Sequence, residues 1–68
     1  MASFINFTEK DTANTLFIKK EFIVSIKDVE LDEQSEYDSL SIINTVDGKS
    51  HTVLDNAYDI VKKIQIES

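Results

Sequence analysis

The stretch "NTVDGKSHTVLDNAYDIVKK", residues 44–63, decides the fold. Asp47-Gly48 is the strongest short hairpin signal in the chain, because a two-residue type I′ turn needs positive φ at both central positions. β-branched residues surround it, in "LSIINTV" (residues 40–46) before the turn and in residues 49–54 after it. A two-residue loop would set Asn44 opposite His51 and Ile42 opposite Val53, so the expected core pair deep in this hairpin is Ile42 with Val53. A helix follows. Asp55 or Asn56 can cap its first N–H groups, Asp59 falls in its first turn, and Lys62 and Lys63 lie at the other end, as the helix dipole favours. Ala57, Ile60, Val61 and Ile64 recur at i, i+3, i+4 and i+7, one apolar stripe that needs a sheet to cover.

Upstream, "FINFT" (residues 4–8) alternates Ile5 and Phe7 with Asn6 and Thr8 and reads as a strand. Residues 9–15, "EKDTANT", gather turn formers without periodicity and form a loop or hairpin turn. "LFIKKEFIVSIKDVEL", residues 16–31, is too long for one ordinary strand and is interrupted by Lys19-Lys20-Glu21. Two strands joined by a tight turn are expected, with a single helical turn at residues 20–23 as the competing reading, since Phe22, Ile23 and Ile26 also have helical spacing. The expected fold is α+β: one antiparallel sheet of about five short strands with a C-terminal helix packed on a face, in a single small domain spanning residues 1–68.

Composition sets further bounds. The chain has 68 residues, 41% of them hydrophobic and 29% charged, which suits one folded core and no second. It contains no cysteine, so disulfides and thiolate zinc sites are excluded as supplements to so small a core, and self-association is the remaining common one. The N-terminal "MASFINFTEK" lacks a basic start and an apolar run, and no segment reaches the length of a membrane span. A cytoplasmic protein without membrane contact is expected.

The acidic residues are concentrated. Asp28, Glu30, Asp32, Glu33, Glu36 and Asp38 lie within eleven positions that hold no Lys or Arg. They form the candidate partner-binding surface, suited to a basic protein, while the plainer reading is a solvated loop that keeps the chain soluble. Calcium binding through this run lacks the glycine and terminal glutamate of an EF-hand loop. His51 is the only histidine and has neither a second histidine for a metal site nor a nucleophile motif beside it. The single glycine sits in the hairpin turn, which rules out the familiar glycine-rich phosphate loops. Seven basic residues against thirteen acidic ones disfavour direct nucleic-acid binding. No catalytic, cofactor or metal residue is assigned. Phe4, Phe17, Ile23, Ile43 and Tyr58 fall out of phase with the expected core faces, and such a surplus can mark an interface.

The runs "FIKKEFIVSIKDVEL", "SLSIINTVDGKSHTV" and "DNAYDIVKKI" together resemble the small FlbD-type proteins associated with bacterial flagella and swarming, in which a strand pair, an Asn/Asp-Gly hairpin and a short helix follow in order. The resemblance covers most of the chain from Leu16 onward. It departs where "DTANT" stands for an early Asn-Gly turn and where "DVELDEQSEYDS" is longer and more acidic. The resemblance implies a non-enzymatic regulatory or accessory protein. Two functional expectations follow: a small, acidic, homo-oligomeric interaction module, or a phage- or plasmid-encoded acidic protein that mimics nucleic acid to inhibit a host nucleic-acid-binding or defence protein. Self-association is expected through an edge strand or the out-of-phase apolar residues.

Overall fold

A computed structural model of the chain describes residues 4–67. Five strands and one helix follow in the order β1 (Phe4–Thr8), β2 (Thr15–Lys19), a 3₁₀ turn (Lys20–Phe22), β3 (Ile23–Asp28), β4 (Ser41–Thr45), β5 (Ser50–Val53) and α1 (Ala57–Glu67). The α+β class and the strand count agree with expectation, but the strands form two antiparallel sheets, β1-β2 and β3-β4-β5. β2 and β3 do not pair. The helical turn that competed with a tight turn is present as the 3₁₀ segment, and it carries the chain from one sheet to the other.

The division has a packing reason. One 11-residue helix cannot cover the face of a flat five-stranded sheet, whereas two sheets can cover each other. Ile5, Phe7 and Ile18 from the first sheet, Ile43 and Val53 from the second, and Ile60 from α1 form one buried cluster, with Leu16, Ile23, Ile26 and Ile64 packed against it. At the end of β1 the sheets also join through the backbone. Glu9 bridges Val53, the Lys10 N–H donates to the Thr52 carbonyl (3.1 Å), and the Leu54 N–H donates to the Thr8 carbonyl (2.8 Å).

β3 solves a parity problem. Ile23 and Ile26 are three apart and cannot share one face of a regular strand. The ladder with β4 pairs Ile23 with Thr45 and Ser25 with Asn44, leaving Val24 as an extra residue. This bulge turns both isoleucines toward the core. On the opposite face Ser25, Asn44 and Ser50 make a polar row: the Asn44 side-chain amide donates to Ser25 Oγ (2.9 Å), and the Ser50 hydroxyl donates to Asn44 Oδ1 (2.6 Å).

The β4-β5 hairpin forms at Asp47-Gly48, but its register differs by one residue from the expected one. Asn44 pairs with Ser50, Ile43 with His51, Ile42 with Thr52 and Ser41 with Val53. Only Gly48 in this turn has positive φ, at 83°. The Gly48 N–H donates to the Thr45 carbonyl (3.0 Å), and the Thr45 N–H donates to the Lys49 carbonyl (3.0 Å), which makes a three-residue loop of Val46, Asp47 and Gly48. Asp-Gly thus fills the third and fourth positions of a four-residue turn, with glycine taking the left-handed position that follows it. Ile43, expected to fall outside the core, is consequently fully buried, and Ile42 lies on the other face.

In α1 the cap is Asn56, whose Oδ1 accepts from the Tyr58 N–H (2.8 Å). Asp55 acts across the fold instead. Its Oδ1 accepts from the Thr8 N–H (2.8 Å), and its Oδ2 lies 3.3 Å from Lys63 Nζ. Ala57, Ile60 and Ile64 carry the buried stripe, while Val61, expected within it, is 43% exposed at its border. No helix among the described residues is long and apolar enough to cross a membrane.

Candidate interaction surfaces

Two regions outside the core are built from unusual residues. The first is aromatic. In β1 and β2, Ile5, Phe7 and Ile18 point inward, so Phe4 and Phe17 necessarily point outward, and they are 58% and 62% exposed. The pairing of Phe4 with Lys19 and of Asn6 with Phe17 puts the two rings diagonally across the same sheet face. Phe22, at the end of the 3₁₀ turn, joins them at 48% exposure, and Lys19 Nζ lies 5.5 Å from the centre of its ring. These three rings line an open groove of about 360 Å³ together with Lys19, Thr45, Asp47 and His51. A second, smaller groove shares Phe4 and is lined by Lys63 and Ile66, so apolar surface continues to the last turn of α1. Val46 adjoins Phe22, since its N–H donates to the Phe22 carbonyl (2.9 Å).

Asp47 sits on the groove's rim. The Thr45 hydroxyl donates to its carboxylate and the Lys49 N–H lies 3.3 Å from the same oxygen. The Thr45 bond first, then the Lys49 backbone bond and the Lys49 charge, hold the carboxyl below its ordinary value of 3.8.

The second region is the acidic segment. Asp28 ends β3, and Glu30, Asp32, Glu33, Glu36 and Asp38 follow in the connection to β4; all six are exposed. The connection is fastened at its base by the Val29 N–H donating to the Leu40 carbonyl (3.1 Å), which makes it a compact loop with neighbouring ends. Within it the Gln34 N–H donates to Asp32 Oδ1 (3.0 Å) and the Tyr37 N–H to Ser35 Oγ (3.2 Å). Tyr37 is half-buried, with Lys10 Nζ 5.6 Å from its ring centre, and the Ser39 hydroxyl donates to the Leu54 carbonyl (3.0 Å). The carboxylates therefore project from a fastened loop. Among the described residues no three His, Cys, Asp or Glu side chains are placed to hold a metal ion.

Of the five out-of-phase residues, Phe4, Phe17 and Tyr58 are exposed, Ile23 is partly buried and Ile43 is core. Phe22, Val46 and Ile66 escape sequence reasoning. Phe22 lies where strand and helix periodicities compete, and the β-branched run to Val46 suggests strand where the chain has already entered the turn. Comparison with protein-family models, with curated proteins and with solved structures found no match.

Proposed function

We propose that the chain is a small non-catalytic interaction module that presents the carboxylates of Asp28, Glu30, Asp32, Glu33, Glu36 and Asp38 to a basic protein partner, and that it works as a homo-oligomer in the cytoplasm. The observation that supports this reading most is the fastening of the acidic loop. A loop that only solubilises needs no half-buried Tyr37, no Lys10 over its ring and no Ser39 bond to Leu54, because its ordering costs conformational entropy. Ordered carboxylates lose less on binding than carboxylates on a free tail. The FlbD-type resemblance points the same way, toward an accessory protein without chemistry of its own.

The test is capture of partners on the immobilised chain, with and without charge reversal at Glu30, Asp32, Glu33 and Glu36. Loss of a specific basic partner from the reversed chain is the expected result. Retention of that partner would remove the acidic loop from the account. Duplex DNA added as a competitor separates the inhibitor alternative, since a nucleic-acid mimic and DNA would displace each other from one cleft.

A further inference from the structure

We infer that the aromatic face formed by Phe4, Phe17 and Phe22 is the contact between two copies of this chain, related by a two-fold axis. The inference deepens the reading above by assigning self-association to a face distinct from the acidic loop, and it rests on that reading for the oligomer itself.

Area is the first argument. Three of the four phenylalanines are half or more exposed or close to it, and only Phe7 is in the core. At their observed exposures, Phe4, Phe17, Phe22, Val46 and Ile66 present on the order of 500 Å² of apolar surface. A standard interface takes about 800 Å² from each partner, somewhat over half of it apolar, so the patch supplies what one side of a dimer needs.

Charge selects the occupant. Each chain carries a net charge of −6, and two copies meeting through their acidic loops would repel. The charged residues lining the two grooves are Lys19, Lys63 and Asp47, and Lys63 is already ion-paired with Asp55, so this face is close to neutral in an otherwise acidic protein and two copies can meet on it without repulsion. Lys19 and Asp47 both line one groove, and a two-fold contact can bring each toward its opposite in the partner copy. A strongly basic partner finds its complement at the loop instead.

The experiment uses the full chain. Sedimentation equilibrium over a hundredfold dilution should give twice the 7.7 kDa chain mass at the concentrated end. Mixed labelled and unlabelled chains should show intermolecular NOEs from the rings of Phe4, Phe17 and Phe22. Phe17→Asp and Phe22→Asp alter exposed side chains and should weaken association at least about tenfold while the circular dichroism spectrum is kept. A monomer mass throughout, or a dimer whose intermolecular NOEs come from the β2 or β3 backbone edges or from the acidic loop, would overturn the inference. If a variant fails to fold, the NOEs of the unaltered chain decide. The loop-reversed chain should remain dimeric, and Phe17→Asp should still capture the loop's partner. Loss of the dimer on loop reversal would overturn this assignment, whereas retention of the loop's partner on that reversal would overturn the earlier reading and leave this one standing.

Discussion

The aromatic face of the β1-β2 hairpin and the acidic loop between β3 and β4 are both exposed, and for opposite reasons. The face is apolar and sits on the main core, one residue out of step with Ile5, Phe7 and Ile18. The loop is polar and stands off the core, yet it is fastened at its base and along its C-terminal arm at Tyr37 and Ser39. Burial alone explains neither region. A sheet of two short strands gains by packing on one side and has no folding reason to carry two phenylalanines on the other. A solubilising loop has no folding reason to be ordered. The difference teaches that this chain keeps its exposed apolar surface apart from its charge, one face for each.

The comparison breaks most severely if the shared core is opened. Ile43→Ala removes a fully buried side chain between the sheets and should cost about 2–5 kcal/mol in denaturant unfolding, enough to disorder both regions together. Ile42→Ala, on the outer side of β4, should cost clearly less. A larger loss at Ile42 than at Ile43 would mean that the hairpin takes the two-residue register instead. Next in size is Asp55→Ala, which strips the Thr8 N–H of its acceptor and leaves Lys63 only the Asn6 carbonyl, and should cost about 1–3 kcal/mol. It loosens α1 from β1 beneath the aromatic face and leaves the loop's own fastenings in place, so amide exchange should quicken around Thr8 and not around Tyr37.

Two turn substitutions of opposite sign come after these. Gly48 has φ +83° with open space about it, so Gly48→Ala should destabilise by about 1 kcal/mol through backbone strain alone. Ala13 holds φ 59° in the β1-β2 connection, and Ala13→Gly should stabilise by a similar amount. Reversing Glu30, Asp32, Glu33 and Glu36 should move stability by no more than about 0.5 kcal/mol per site, because these side chains are exposed. The smallest effect is at Asp47. Its carboxyl is depressed in the folded chain, so its contribution is complete above 3.8 and is lost as pH falls from there through the lower folded value. Thr45→Val, which deletes the leading hydrogen bond, should return the Asp47 titration toward 3.8 in an NMR pH series.

Much of the fold is legible in the sequence because its signals are local. The alternation of Ile5 and Phe7 marks β1, Asn56 and the Ala57, Ile60, Ile64 spacing mark α1, and Asp47-Gly48 marks the hairpin. What is not legible depends on choices between near-equal local solutions. Asp-Gly serves a two-residue turn and a three-residue turn equally well, and here the bonds of Thr45 with Asp47 and Lys49 accompany the longer one, exchanging Ile42 for Ile43 in the core. The bulge at Val24 hides the strand period of β3 behind helical spacing. Pairing between sheets is a long-range outcome that no window of sequence contains. For the candidate surfaces, the outward phase of Phe4 and Phe17 is visible in the alternation, and the acidic run is plain. The fastening of that run by Tyr37, Lys10 and Ser39 is not, since its partners lie far along the chain.

Separation of apolar contact from charge is tested most directly by the mass of the chain alone as ionic strength is raised from low to molar salt. Salt screens the repulsion between two chains of net charge −6 and leaves apolar contact in place, so dimerisation through the aromatic face should hold or strengthen along the series. Dissociation with rising salt would contradict the account, because it would mean that ion pairs between opposite charges, rather than apolar contact, hold the copies together.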